Sequence, residues 1–193
     1  LEAINLETKE RVIFNKSDCY FGYRNSIFKN KLKSKFIITK VHLGLMKLKH
    51  LNINYKELKE KIKDNNINSQ DIREIIIDIR NSKLPNPKTI GNAGSFFKNP
   101  IIQKNQLNML IKQYPNMPYF QGDTIKIPAA WLIEKLNWKG YNNGKCGIYE
   151  KHALIIINHN NATGKDIQKL SKKIKEDVYR KFNILLEEEV SII

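Results

Sequence analysis

The 193-residue chain is 41% apolar and carries a formal net charge of +15, with an isoelectric point near 9.7. That length and apolar share allow one substantial core or two small lobes sharing one, and exclude a disordered chain. No apolar run approaches the about 18–20 residues of a membrane span, and Leu1-Glu2-Ala3-Ile4-Asn5-Leu6 lacks the basic-then-apolar order of a signal peptide, so the expected setting is cytoplasmic, without membrane contact.

Residues 1–14 read as two short strands around the turn Glu7-Thr8-Lys9. The β-branched density of Phe36-Ile37-Ile38-Thr39-Lys40-Val41-His42-Leu43 predicts a third. All three read as sheet edges of a larger body. Between them, Phe21-Gly22-Tyr23-Arg24-Asn25-Ser26-Ile27-Phe28 forms a compact loop or short helix with an arginine among aromatics. A short helix is predicted from Tyr55 to Lys63. A second begins at Ser69 as its cap, with Ile72, Ile75, Ile76 and Ile79 at helical spacing. Leu84-Pro85-Asn86-Pro87 ends it and marks a domain boundary, because a residue before proline is pushed out of the α region.

Beyond the boundary, Gly91-Asn92-Ala93-Gly94-Ser95-Phe96-Phe97-Lys98-Asn99-Pro100 reads as a loop. Two glycines allow close approach of the backbone, and a hydroxyl, two aromatic anchors and a Lys-Asn pair follow. Helical patterns run from Gln106 to Gln113 and from Ala129 to Leu136. A Gly- and Asn-rich loop from Trp138 to Gly147 then leads into a strand over Ala153–Asn158. Thr163 with Asp166 opens a long helix whose Ile167, Leu170, Ile174, Val178 and Phe182 form a core stripe. A last strand is predicted from Ile184 to Ile193. These mixed elements in no repeating unit make the fold class α+β.

Cys19 and Cys146 are far apart and lack metal-ligand spacing, so buried free thiols are expected and no metal site. The basic excess is mostly lysine and accompanies a general excess of Ile and Asn, which weakens a nucleic-acid reading without removing it. A non-catalytic basic domain that binds nucleic acid or another polyanion therefore stands as the alternative to a site for a smaller anion such as a nucleotide sugar.

Ser95 lacks the context of a nucleophile elbow, and no histidine sits in a triad pattern, so a hydrolase is disfavoured. Ser95 is either a turn residue bonded to its own backbone or a hydroxyl placed to donate a proton beside Lys98 and Asn99. In Glu187-Glu188-Glu189, strand alternation sends Glu188 to one face and its neighbours to the other. Glu189 then either faces water or serves as an inward acid/base group. Arg24 is either a solvated charge or a guanidinium held, partly buried, among Tyr20, Phe21, Tyr23 and Phe28.

Five stretches bear on identity: Phe21-Gly22-Tyr23-Arg24-Asn25-Ser26, Lys83-Leu84-Pro85-Asn86-Pro87, Gly91 through Pro100, Ala130-Trp131-Leu132-Ile133 and Leu186-Glu187-Glu188-Glu189-Val190. Together, in this order and across the whole chain, they resemble the UDP-N-acetylenolpyruvoylglucosamine reductase (MurB) family of peptidoglycan synthesis, in its longer, type I form. The resemblance implies that residues 1–84 end a PCMH-like FAD-binding domain and that residues 85–193 form the substrate-binding domain.

It further implies a two-step reaction. NADPH reduces FAD, and the flavin passes hydride to UDP-N-acetylglucosamine enolpyruvate, giving UDP-N-acetylmuramate. Ser95 matches the family's proton donor, and Arg24 and Glu189 match groups that stabilise the intermediate or help its protonation. Tyr55, Lys83, Asn99 and Lys139 match the grip on diphosphate and uridine, and His152 a substrate-side position. The implied partners are the enolpyruvyl substrate and NADPH, with no nucleic acid, and the implied state is a monomer. Glu188 stands where the family often has proline. The family's glycine-rich FAD loops find no counterpart in these residues, so the chain is expected to be the carboxyl-terminal part, binding FAD poorly and turning over little alone.

Overall fold

The computed structural model describes residues 1–45, 47, 53, 55–62 and 67–192. The chain folds as two compact units, Leu1–Leu51 and Asn52–Ile193.

In the first unit, β1 (Glu2–Asn5), β2 (Arg11–Ile13) and β3 (Phe36–Lys40) form an antiparallel sheet in the order β2-β1-β3. Ala3 sits at its centre, fully buried, paired with Val12 on one side and Ile38 on the other. The β1–β2 turn closes through Lys9, at φ 63°. Phe14, Phe28 and Phe36 pack edge to face with centroids 5.1–6.4 Å apart, the preferred arrangement of aromatic quadrupoles. The predicted third strand is shorter than expected, because the chain leaves the β1 ladder after Lys40 and exposes Val41 and Leu43.

The second unit begins with α1 (Lys56–Lys61) and α2 (Ser69–Lys83). Lys63, the predicted end of the first helix, lies outside the described residues. The cap of α2 is Asn68, one residue before the predicted Ser69. Asn68 Oδ1 accepts the N–H groups of Gln70 and Asp71 at 2.7 and 3.1 Å, and Asp71 Oδ2 accepts the Asn68 N–H at 3.0 Å. This reciprocal box satisfies donors that Ser69, already inside the helix, cannot reach. Among the four isoleucines of the predicted stripe only Ile79 is buried.

The stretch Gly91–Ser95, predicted as a loop, is a strand, β4. It pairs antiparallel with β9 (Ile155–Asn158), which also pairs with β8 (Cys146–Ile148). The glycines do not break the strand: Gly91 pairs in register with Asn158, and Gly94, at φ +72°, falls at the register shift between Asn92 and Ser95. A second small sheet joins β5 (Ile101–Ile102), β6 (Phe120–Gln121) and β7 (Ile125–Lys126) in the order β5-β7-β6; none of these strands was predicted, each being two residues long. The helices α3 (Lys104–Gln113), α4 (Ala129–Lys135) and α5 (Gly164–Phe182) pack over them.

The predicted Thr163/Asp166 box opens α5, with Thr163 Oγ1 accepting the Asp166 N–H at 3.3 Å and Asp166 Oδ2 accepting the Thr163 N–H at 3.0 Å. Leu170, Ile174, Val178 and Phe182 are buried in one cluster with Phe96, Phe97, Leu107, Leu132 and Ile133. Each such side chain contributes about 1.5–3 kcal/mol by leaving water. The segment after α5 is not the predicted strand. Its ladder reduces to one bridge, Phe97 to Glu188, although Ile184 and Leu186 are buried in the core and Asn183, Leu185 and Glu187 face solvent, as in a strand. Ile193, the end of the predicted strand, lies outside the described residues. Cys19 and Cys146 are buried free thiols.

Candidate active-site cleft

The bulge in β4 is built by one side chain. Asn92 Oδ1 accepts the Gly94 N–H at 3.0 Å, and its amide donates to the Ile90 carbonyl at 2.8 Å. This local turn forces the chain to advance one extra residue against β9, so that Ser95 comes opposite Ile155. Immediately afterwards Phe96 and Phe97 turn inward, which anchors the strand on the core side. Ser95 is left exposed on the wall of an open cleft of about 970 Å³, shared with Arg80, Asn81, Asn86, Asn92, Tyr149 and His152. Its hydroxyl makes no hydrogen bond with another described residue.

His152 is half-buried in the same cleft. The Leu154 N–H donates to its Nδ1 at 3.3 Å. Burial, then the positive charges of Lys83 and Lys139, depress its pKa below the usual 6.5, against a weaker opposing pull from Glu134. The ring is therefore neutral at pH 7, with the proton on Nε2 and Nδ1 already occupied. Such an imidazole donates from Nε2 rather than accepting there, and no hydrogen bond joins it to Ser95 among the described residues, which disfavours a serine–histidine nucleophile.

Two further predicted residues act on this site through their charge. Lys83, at the end of α2, forms an ion pair with Glu57 of α1, and that bond, with a smaller contribution from Tyr55, raises the Lys83 pKa despite partial burial. Lys139 pairs with Glu134 at 2.8 Å. Both ammonium groups remain partly exposed. Ser95 and His152 thus share the cleft, Lys83 and Lys139 act on His152 by charge, and Tyr55 acts in the same way on Lys83.

Three predicted residues are placed differently. Asn99 Oδ1 accepts the Ala129 N–H at 2.9 Å, starting α4, whose formal cap Pro128 has no side-chain acceptor. Glu189 lies beside the continuation of the bulged strand, its N–H donating to Phe96 O at 2.8 Å, so its backbone adjoins the residue after Ser95. Arg24 lies in the first unit and is exposed rather than partly buried. Its φ of 52° turns the chain at a point where the flanking Tyr20 and Phe21 face solvent, and its guanidinium lies 5.6 Å from the centroid of the Tyr23 ring.

Sequence reasoning had not singled out Arg80, Asn81, Asn92 or Tyr149. Asn92 was legible: an Asn two residues before a Gly is the pattern of an Asx turn. Tyr149 was not, since only the β8–β9 connection brings it to the cleft.

No helix among the described residues opens from a run of glycines, and the N-termini of α2 and α5 are closed by boxes containing Asp71 and Asp166. A carboxylate at that position occupies the donors that a diphosphate would need and repels it. The N-termini of α2 and α5 therefore do not fit the diphosphate of a flavin dinucleotide.

Residues 86–193 match the profile of the family described as UDP-N-acetylenolpyruvoylglucosamine reductase, C-terminal domain. Over 99% of its length the chain is 43% identical to UDP-N-acetylenolpyruvoylglucosamine reductase of Flavobacterium johnsoniae. Over its whole length it is 43% identical to the protein of that name from Amoebophilus asiaticus, and 46% identical to the one from Buchnera aphidicola subsp. Baizongia pistaciae. It spans 58% of the length of each of these relatives. On the family profile and these identities, the chain belongs to the UDP-N-acetylenolpyruvoylglucosamine reductase family, with residues 86–193 as its C-terminal domain.

Proposed function

We propose that this chain supplies the substrate-binding and protonating part of a reductase that converts UDP-N-acetylglucosamine enolpyruvate to UDP-N-acetylmuramate. The observation that carries the reading is the bulge that leaves the Ser95 hydroxyl without a hydrogen bond among the described residues, on a cleft it shares with His152, whose ring feels the charges of Lys83 and Lys139. Residues 85–193 form the substrate domain, and 1–84 belong with the flavin. When bound, FAD reduced by NADPH would supply the hydride.

The roles of this chain's own residues follow from the charge that the reaction develops. Addition of hydride to one carbon of the enolpyruvyl double bond leaves negative charge on its neighbour and on the carboxylate. Ser95 Oγ–H gives its proton to that neighbouring carbon. Glu189 and Arg24 stabilise the intermediate or help the proton arrive. Lys83, Lys139, Tyr55 and Asn99 hold the diphosphate and uridine, and neutral His152 donates from Nε2 to a substrate oxygen. The product needs no nucleophile, in keeping with a serine that has no base.

Titration of the 193-residue chain with a UDP-sugar tests the reading. Saturable binding that weakens in Lys83→Ala and Lys139→Ala, with only weak and strongly salt-dependent affinity for DNA, supports it. Tight DNA binding with a steep salt dependence and no UDP-sugar binding would instead establish a polyanion-binding domain.

A further inference from the structure

The segment after α5 carries three consecutive glutamates, and its pairing with the strand that follows Ser95 is very short. Two hydrogen bonds hold it: Lys98 N–H to Glu187 O at 2.9 Å and Glu189 N–H to Phe96 O at 2.8 Å. A ladder of this size specifies register weakly, and a slip of one residue would exchange the faces of all three carboxylates. Apolar alternation adds only part of the answer. Ile184 and Leu186 are buried, whereas Leu185 and Glu187 face solvent; the next inward position is therefore Glu188, a charged residue in an apolar row.

That carboxylate meets a prepared partner set on α5. Lys175 Nζ donates to both of its oxygens, at 3.0 and 2.9 Å, and Ser171 Oγ donates to Oε1 at 3.0 Å. Ser171 and Lys175 are four residues apart and so share one helix face. Ser171 is 1% exposed and is the buried polar side chain among the described residues of the core. Burial alone would raise the Glu188 pKa, but the bonds from Lys175, its own N–H and Ser171 outweigh it and hold the group ionised. On the opposite face Glu187 reaches Lys98 Nζ at 2.8 Å while remaining largely exposed. An exposed pair of that kind contributes little to stability or register. The discriminating contact is therefore the one to α5.

We propose that Glu188, seated on Ser171 and Lys175, is a positioning residue that selects the register of the closing segment and thereby sets Glu189, rather than Glu187 or Glu188, beside the strand continuing from Ser95. The chemical consequence for Glu189 rests on the reductase reading above; the register itself does not. An ion pair that is largely withdrawn from water, as this one is, is often little more stabilising than apolar residues of the same size, but it is intolerant of the wrong partner. Here the wrong partner would be another glutamate one step away in the chain.

Amide hydrogen exchange of the 193-residue chain tests the proposal without substrate. In Glu188→Leu/Lys175→Met, which replaces the pair by apolar groups, the melting temperature should be retained. The Lys98 and Glu189 N–H groups should nevertheless exchange at least about tenfold faster, with Ile174 and Val178 unchanged, as for a local opening. The charge-swapped double variant, Glu188→Lys/Lys175→Glu, should restore most of that protection. Single Glu188→Gln should loosen the same two amides and no others, which keeps the test available if a double variant folds poorly. Unchanged protection at Lys98 and Glu189 in the apolar double variant would overturn the proposal, because packing alone would then set the register. Loss of UDP-sugar binding with normal exchange would count against the reductase reading instead.

Discussion

The backbone N–H of Leu154 donates to His152 Nδ1 at 3.3 Å, which leaves Nε2 as the proton-bearing atom of the ring. Because burial and the charges of Lys83 and Lys139 also depress the pKa, this histidine enters the cleft as a neutral donor, not as a base.

The pH dependence follows from the sign of that shift. A base whose pKa is lower folded than unfolded binds fewer protons in the folded state, so stability rises with pH and the gain is complete above the unfolded value of 6.5. On acidification below 6.5, His152 adds a penalty that grows until pH passes the folded pKa. Proton NMR of the ring should give a midpoint below 6.5, moved upward in Lys83→Met and further downward in Glu134→Gln. A wild-type midpoint at or above 6.5 would refute the assigned electrostatics.

Ser95→Ala separates protonation from binding. On the proposed function, reduction of FAD by NADPH in the flavin-loaded enzyme should be unchanged, whereas flavin reoxidation by the enolpyruvyl substrate should slow by about 10²-fold or more, the scale of a lost general acid. Stopped-flow absorbance of the flavin measures both. Equal rates in both half-reactions would remove Ser95 from its role.

Asn99 is expected to show two separable functions. Asn99→Ala removes the acceptor for the Ala129 N–H at 2.9 Å and should cost about 1 kcal/mol, as for a lost helix cap. Asn99→Asp keeps the acceptor and adds favourable charge at the start of α4, so stability should be preserved. UDP-sugar binding should nevertheless fall, because a carboxylate faces the diphosphate. Urea denaturation and calorimetric titration of the two variants distinguish these effects; equal binding by Asn99→Asp and wild type would limit Asn99 to capping.

Gly147 is a position that admits no side chain. A Cβ there would lie 2.1 Å from Tyr141 O, 3.0 Å from His159 Nε2 and 3.1 Å from Asn142 Cα. Two of these atoms are backbone and cannot swing aside. Gly147→Ala should therefore destabilise the second unit by about 2–3 kcal/mol through overpacking of β8. Its denaturation midpoint, followed by the fluorescence of Trp131 and Trp138, should fall with little change in slope. By contrast, nothing lies within 4 Å of a Cβ at Gly94, whose φ of +72° makes the expected cost of Gly94→Ala one of backbone conformation only, about 1–2 kcal/mol.

The sequence by itself determined what is encoded locally. The Thr163/Asp166 box and the stripe from Leu170 to Phe182 define α5 because capping and 3.6-residue periodicity act within a few residues. The same holds for the β1–β2 hairpin and for the end of α2 before Pro85. The family, too, was legible in the motifs, since they are residue identities in a fixed order. Tertiary structure alone decided the rest. Gly91–Ser95 looks like a loop until Ile155–Asn158, some sixty residues later, supplies the partner edge that turns its glycines into a bulge. Ile184–Val190 alternates like a strand, yet among the described residues its backbone finds only the single bridge from Glu188 to Phe97. Which glutamate faces α5 likewise depends on Ser171 and Lys175. Register, tautomer and the gathering of Ser95, His152, Lys83 and Lys139 are set by groups distant in the chain, and spacing along one sequence does not encode such distances.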